Sequence, residues 1–234
     1  MSVTNPPATL TAEELMRWTY ASFERVALVA SFQAESGVLI DMACRLHTKP
    51  EVLTIDTGRL PQQTHDVMAA FQQRYPIRLR VLSPDPEEVE TMTRDHGVNL
   101  FRDTVAMRTL CCDVRKARPL ARALRGYDAW ITGVRREQAA TRAATAVVAE
   151  DAMHGGIAKI APLAGWSRVR VHGYLEAHGI PRNALYDSGY SSIGCAPCTR
   201  ATVAGEDERA GRWWWERDAS KECGLHRAPA VVPA

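Results

Sequence analysis

Val26-Ala-Leu-Val-Ala30, followed at once by Ser31-Phe-Gln-Ala-Glu-Ser36 and then by a helical pattern from Gly37 to His47, decides the fold of this chain. The apolar run is too short for an ordinary helix and suits a strand buried on both faces. The polar stretch ends that strand, and the helix behind it turns its first free amides back toward the strand end, where an anionic group can be met. Strand, polar loop and helix in this order form a nucleotide-binding arrangement.

Reading outward, Glu51-Val-Leu-Thr-Ile55 is a second strand, and Pro61 is well placed at the start of a helix running to about Tyr75. Ile77-Arg-Leu-Arg-Val-Leu82 reads as a third strand and Asp128-Ala-Trp-Ile-Thr132 as a fourth. Upstream, Thr11-Ala-Glu-Glu14 is a capping box that opens an amphipathic helix through about Phe23. Strands alternating with helices predict an α/β fold: one domain with a mostly parallel sheet, helices on both faces, and ligands held outside the carboxyl ends of the strands. From Ile157 onward the alternation weakens, a helix is predicted near Ser167, and the stretch from Gly194 to the end is rich in Gly, Cys, Arg and Trp.

The chain has 234 residues, 46% of them hydrophobic, which allows one sizeable core and demands no second catalytic domain. Lys and Arg total 29 against 27 Asp and Glu, so there is no positive excess of the kind that binds nucleic acid through its phosphates. Anionic ligands must then be met by local clusters. Met1-Ser-Val-Thr-Asn-Pro-Pro-Ala-Thr-Leu10 has no charged region leading into an apolar one, and no run approaches the roughly 20 apolar residues that cross a bilayer. A soluble, cytoplasmic protein without a membrane or nucleic-acid partner is expected.

Six cysteines in an intracellular chain point to metal ligation or redox chemistry rather than a disulfide framework. Cys111 and Cys112 are adjacent, Cys195-Ala-Pro-Cys198 has two residues between its thiols, and Cys223 stands alone near the end. Four thiolates brought together suit zinc or an iron–sulfur cluster. Spacing does not choose between them, although an adjacent pair is awkward for a zinc knuckle and tilts the reading toward a cluster. The competing reading makes Cys111 and Cys112 ordinary small apolar residues at the start of a helix. Cys44, on the apolar stretch Val38 to Leu46, reads as core. Cys223 lies in Lys221-Glu-Cys-Gly-Leu-His226, where Lys221 and His226 are neighbours able to lower a thiol pKa; an incidental exposed thiol is the alternative.

Lys116 follows Cys112 by one helical turn and can reach back toward whatever the cysteines hold, but in a basic helix with Arg115 and Arg118 a solvated lysine reads as well. Arg135 and Arg136 follow a strand end, and Arg209 and Arg212 precede Trp213-Trp-Trp215. Guanidinium forks suit phosphate and sulfate oxygens. The three tryptophans read as an anchor in the core, Asp56-Thr57-Gly58 as a turn at a strand end, and His154 as a turn histidine or a site residue with equal ease.

Ser31-Phe-Gln-Ala-Glu-Ser36, Asp56-Thr-Gly-Arg-Leu60, Cys111-Cys-Asp-Val-Arg-Lys116, Thr132-Gly-Val-Arg-Arg-Glu-Gln138, His154-Gly-Gly-Ile157, Pro162-Leu-Ala-Gly-Trp166, Cys195-Ala-Pro-Cys198, Gly211-Arg-Trp-Trp-Trp-Glu216 and Lys221-Glu-Cys-Gly-Leu-His226 together resemble the bacterial and plant adenylyl-sulfate reductases. These are the cluster-containing branch of the phosphoadenylyl-sulfate reductase family, and the resemblance spans nearly the whole chain. It implies an adenine nucleotide alpha hydrolase-like, Rossmann-like domain and a four-iron, four-sulfur (4Fe-4S) cluster on Cys111, Cys112, Cys195 and Cys198. It implies Cys223 as the nucleophile that attacks adenosine 5′-phosphosulfate, giving AMP and a thiosulfonate from which thioredoxin or a similar dithiol protein releases sulfite, in sulfate assimilation and cysteine biosynthesis. The expected substrate contacts are Ser31, Gln33, Glu35, Ser36, Asp56, Thr57, Gly58, Lys116, Arg135, Arg136, Arg209, Arg212 and His226.

The loop Ser31 to Ser36 looks like the Ser-Gly-Gly-x-Asp-Ser phosphate loop of ATP pyrophosphatases with Phe32, Gln33 and Glu35 in place of the glycines and aspartate. That exchange argues against a triphosphate and fits a phosphosulfate. The resulting organisation is a disordered N-terminus over 1–10, a nucleotide- and cluster-binding domain over 11–216, and a mobile catalytic tail over 217–234, in a monomer or homo-oligomer. Rival readings are a phosphoadenylyl-sulfate reductase, a cluster-dependent tRNA-thiolating ATP pyrophosphatase and a zinc-held nucleotide-binding module. Ser167-Arg-Val-Arg-Val-His-Gly-Tyr174 departs from the family pattern in being more basic, which bears on helix packing there.

Overall fold

A computed structural model of the chain describes residues 9–47, 49–216, 221–222 and 224–225. What the sequence leads one to expect of 1–8, 217–220, Cys223 and 226–234, His226 included, lies outside the described residues. Six strands form one sheet: β1 (Val26–Val29), β2 (Glu51–Ile55), β3 (Arg78–Leu82), β4 (Ala129–Thr132), β5 (Val148–Asp151) and β6 (Ile157–Ile160). Their spatial order is β3-β2-β1-β4-β6-β5, with every neighbouring pair parallel except β5 against β6. The chain fills the sheet in one direction from β1 to β3 and then crosses back to place β4 on the other side of β1. That reversal between β1 and β4 opens a crevice at their carboxyl ends, where open α/β sheets bind ligands.

Helices cover both faces, as expected of this α/β pattern. On one, Leu28, Val52, Ile131 and Ile160 pack with α1 (Ala12–Ser22), α2 (Ala34–Leu46), α3 (Gln62–Arg74) and α7 (Arg168–Ala177). On the other, Ala27, Leu53, Leu82 and Trp130 meet Leu120, Ala123 and Leu124 of α6 (Arg118–Leu124). Edge strand β3 leaves Arg78 and Arg80 partly or fully in solvent, and charge on an edge discourages pairing with another sheet. α4 (Pro86–His96) and α5 (Val105–Cys112) complete the set of α-helices among the described residues.

Several expectations need revision. β5, which lies before the point where the alternation weakens, and β6, which starts at it, are strands not expected from the pattern; β6 is only four residues long and reaches the sheet through a turn in which Gly155 and Gly156 both take φ of 78°. α2 begins at Ala34 rather than Gly37, so the polar loop is one turn shorter than it reads. Phe32 there holds a left-handed φ of 53°, a glycine-like geometry for a bulky residue; its buried ring packs edge-on to Phe71 at 5.5 Å, which offsets the strain. Cys111 and Cys112 end helix α5 instead of starting one, and a π-helical turn over Asp113–Ala117 joins α5 to α6. The basic segment at Ser167 does form a helix, capped by Ser167 and held by buried Val171 and Leu175. No helix among the described residues is long and apolar enough to cross a membrane.

Candidate active site

The crevice at the carboxyl ends of β1, β2 and β4 is a cavity that receives Ser31 and Gln33 from the loop after β1, Glu35 and Ser36 from the first turn of α2, and Thr57 from the loop after β2. The loop after β1 is braced from within: the Ser31 amide donates to Ser36 Oγ at 3.0 Å, and Gln33 Oε1 accepts from the Ile193 amide at 2.7 Å. The Ala34 amide, in the first turn of α2, donates to the Tyr186 hydroxyl at 3.0 Å. That amide is therefore engaged, and the anion-binding capacity expected of this helix start falls to its neighbours. Across the cavity stand His172, Tyr186, Ser191 to Gly194, Glu208, Arg209 and Arg212.

Among the arginines the structure makes a distinction that sequence could not. Arg209 and Arg212 line the cavity, whereas Arg135 and Arg136 do not. Arg135 is 1% exposed and its fork is spent on carboxylates, with Glu35 at 2.8 Å, Glu208 at 2.8 Å and Glu137 at 3.2 Å. It orients the cavity's two carboxylates from behind. Arg136 Nε donates to the Thr145 carbonyl at 2.9 Å. Asp56 accepts from the Gly58 amide at 2.9 Å and meets His65 Nε2 at 3.0 Å, shaping the turn in which Gly58 has φ of 68°; of this triplet only Thr57 reaches the cavity.

Cys111, Cys112, Cys195 and Cys198 surround a second cavity and are all buried. α5 carries the first pair at its end, and a 3-10 turn over Ala196–Cys198 carries the second, closed by the Cys198 amide on the Cys195 carbonyl at 3.0 Å. Arg59, Arg108, Arg115, Lys116 and Arg212 line the same space with the rings of Phe101 and Trp213, and no carboxylate is among the lining residues described. Arg115 Nε, Arg212 Nε and Trp213 Nε1 are buried without a hydrogen-bond partner among the described residues. Burial tends to raise the Cys195 thiol, but the Lys116 ammonium, the Thr57 hydroxyl 3.2 Å away and the Arg212 guanidinium bring it below its ordinary value. Burial and the neighbouring Cys195 push Cys198 up to about 11, and burial raises Cys111. Among the described residues no three His, Cys, Asp or Glu side chains close on a single-ion site. The thiols border a space whose donors and surrounding positive charge fit an anionic thiolate-ligated group.

Lys116 and Arg212 line both cavities. The π-helical turn widens the helix at Lys116, a distortion common where a helix carries function. Gly194 lets Arg212 sit there, since a Cβ on Gly194 would collide with its guanidinium. Gly194→Ala is expected to expel Arg212 from between the cavities and weaken AMP binding by about tenfold, the loss of one charge-assisted hydrogen bond, with the fold retained. Titration calorimetry with AMP checks this, and an unchanged affinity refutes the role given to Arg212.

Three groups escaped the sequence reading. Arg108 is 1% exposed, pairs with Glu216 at 2.6 Å, lies 4.5 Å from the Trp213 ring centroid and donates from Nη1 to the Glu222 carbonyl at 2.7 Å. Arg142 donates from Nε and Nη2 to the two oxygens of Glu222, each at 2.8 Å. Burial tends to raise the Glu222 carboxyl, but Arg142, Arg209 and Thr141 outweigh it and hold it below the usual range. These pairs span 80 residues or more, so no local pattern announces them. Trp213 is fully buried among the cysteines as an anchor, while Trp214 lies at the surface, 38% exposed. His154 is bound to Asp151 at 2.8 Å behind the Trp130 ring and is not itself among the residues that line the cavity.

A crevice at a sheet's switch point, sharing two cations with a pocket of four thiols, defines a class of α/β proteins whose ligand site suits an anion held beside thiols. Residues 25–201 match the phosphoadenosine phosphosulfate reductase domain, and the chain belongs to that family. It is 42% identical to the adenosine 5′-phosphosulfate reductase of Allochromatium vinosum, over 96% of this chain and 87% of that one. The enzyme of the same name from Neisseria meningitidis is 40% identical over 94% of this chain and 89% of its own. Among solved structures, the phosphoadenylyl-sulfate reductase of Candida auris in its phosphate complex superposes with a TM-score of 0.70 at 28% identity, covering 83% of this chain and 91% of that one. The FMN adenylyltransferase of Candida glabrata, at 14% identity and a TM-score of 0.60 over 85% of this chain and 69% of its own, shares the fold.

Proposed function

We propose that this chain is an assimilatory adenylyl-sulfate reductase, which converts adenosine 5′-phosphosulfate to sulfite and AMP at the expense of a protein dithiol. The observation that carries the reading is the sharing of Lys116 and Arg212 between the nucleotide cavity and the four-thiol cavity, in a chain whose relatives bear that enzyme's name. In the first step the Cys223 thiolate attacks the sulfur of the phosphosulfate. The S–O bond to the phosphate breaks, AMP leaves with the electron pair, and a thiosulfonate remains on Cys223. A thiolate of reduced thioredoxin, or a similar dithiol protein, then attacks the Cys223 sulfur and releases sulfite. The partner's second thiol resolves the mixed disulfide, so the dithiol supplies both electrons.

Lys116, Arg209 and Arg212 bear on the first step by meeting the charge of the phosphosulfate, each pair being worth on the order of 4 kcal/mol at 4 Å and an effective dielectric of 20, before desolvation. Ser31, Gln33, Ser36 and Thr57 offer hydrogen bonds to the nucleotide. Cys111, Cys112, Cys195 and Cys198 would hold a four-iron, four-sulfur cluster, a fit supported by the four soft donors and the five cations around them. When bound, such a cluster supplies fixed charge and cross-links α5 to the turn at Cys195. The purified protein given adenosine 5′-phosphosulfate and reduced thioredoxin is expected to yield sulfite and AMP in equal amounts. Cleavage of ATP to AMP and pyrophosphate, with no sulfite formed, would overturn the reading in favour of a pyrophosphatase.

A further inference from the structure

Two carboxylates stand in a cavity that otherwise suits an anion. Glu35, from the first turn of α2, and Glu208, from the segment that carries Arg209 and Arg212, both line the crevice. Arg135 holds them from behind without lining the crevice itself, donating from Nε to Glu35 Oε1 at 2.8 Å and from Nη2 to both oxygens of Glu208 at 2.8 and 2.9 Å. Gln138 Nε2 also donates to Glu35 Oε1, at 3.0 Å, so Glu35 Oε2 has no hydrogen-bond partner among the described residues. Gly133, just after β4, makes room for this carboxylate, since a Cβ there would come within 2.7 Å of Glu35 Cβ.

These groups mark one end of the crevice. Tyr186, whose hydroxyl accepts from the Ala34 amide beside Glu35, and His172, whose ring meets that of Tyr186 at 5.5 Å, line the same end. None of the four reaches the thiol cavity, which Lys116 and Arg212 line at the other end. Burial, aided by Arg168, holds His172 below its ordinary pKa, so it adds no positive charge near neutral pH. Burial raises the Glu208 carboxyl against the pull of Arg135, and Glu35 adds to the rise. One buried guanidinium is thus set against two carboxylates, and the surplus negative charge faces the ligand. Such an arrangement is a poor source of stability, but like charge against the wrong ligand is a means of selection.

We infer that Glu35 and Glu208 are specificity-determining residues, which admit the hydroxyl and amino donors of a nucleoside and exclude a nucleotide bearing a second phosphate on its ribose. The inference rests on the reading of this crevice as the adenylyl-sulfate site. A ligand that sets its phosphosulfate against Lys116, Arg209 and Arg212 extends its nucleoside toward the other end, where a 3′-phosphate meets like charge in a space short of water.

The test measures the binding of AMP and of adenosine 3′,5′-bisphosphate, which differ only in the second phosphate, to the full-length protein purified without oxygen. The wild type is expected to prefer AMP by about 100-fold. Glu35→Gln and Glu208→Gln keep the shape and remove one charge, and each should cut that preference by about tenfold. A general loosening of the crevice weakens both ligands alike and leaves the ratio where it was. Equal affinities in the wild type overturn the inference, and so does a ratio unchanged in both variants, with or without a common loss of binding. The reading it rests on fails by a different result, a wild type that forms no sulfite from adenosine 5′-phosphosulfate whatever its preference between the two ligands.

Discussion

Cys223→Ser is expected to release no sulfite from adenosine 5′-phosphosulfate, a loss of about 10⁴-fold or more by comparison with other removed nucleophiles, while binding AMP as the wild type does. A serine hydroxyl is almost wholly protonated at neutral pH and is a far weaker nucleophile toward sulfur than a thiolate. The cations that meet the anion, Lys116, Arg209 and Arg212, are contributed by other segments, and the four buried cysteines form a separate set. The wild type without any thiol should therefore stop after one step, with AMP released in an amount equal to the label on Cys223. Reduced thioredoxin should then discharge the label as sulfite. Full turnover by Cys223→Ser, or label on one of the buried cysteines, would refute the mechanism and leave the fold and family untouched.

The parts of this protein legible in its sequence are those written in local periodicity. β1, β2 and β4 announce themselves as short apolar runs because they are buried on both faces, and Thr11 with Glu14 gives the start of α1 because both halves of a capping box lie within four residues. Ser31, Gln33, Glu35, Ser36, Thr57, Lys116, Arg209 and Arg212 were expected at the site from the family resemblance, and Cys111, Cys112, Cys195 and Cys198 from their pattern together with it; all of them line one of the two joined cavities. Arg135 shows the limit. An arginine after a strand end invites an anionic ligand, and nothing nearby in sequence reveals that Glu35 and Glu208, 100 and 73 residues away, satisfy it instead. Arg108, Arg142 and Glu222 were missed for the same reason, since an ion pair between distant segments has no period. Strands β5 and β6 were missed because each has four residues and a face that is not fully buried, so neither reads as a continuous apolar run.

The four buried cysteines provide the other large effect, and its size follows from what surrounds them. Cys111→Ser, Cys112→Ser, Cys195→Ser and Cys198→Ser should each lose or destabilise the proposed iron–sulfur cluster, since a hard oxygen replaces a soft thiolate. The loss should spread to the nucleotide site. Five cations line the thiol cavity, of which Arg108 is paired with Glu216, and no carboxylate is among the described lining residues, so removing an anionic group from among them increases the positive charge of a buried space, which is costly. Lys116 and Arg212 belong to both cavities, and any rearrangement that relieves the repulsion moves the groups expected to hold the phosphosulfate. Sulfite production should therefore fall with iron content, and AMP affinity should fall too, which sets these variants apart from Cys223→Ser. Iron and sulfide analysis, AMP titration and the visible absorption of protein purified without oxygen measure all three. A wild-type sample that is colourless and contains zinc would remove the cluster, and full iron content in all four variants would remove the ligand assignment. Loss of iron with AMP affinity intact would show that the two cavities share residues but not energetics.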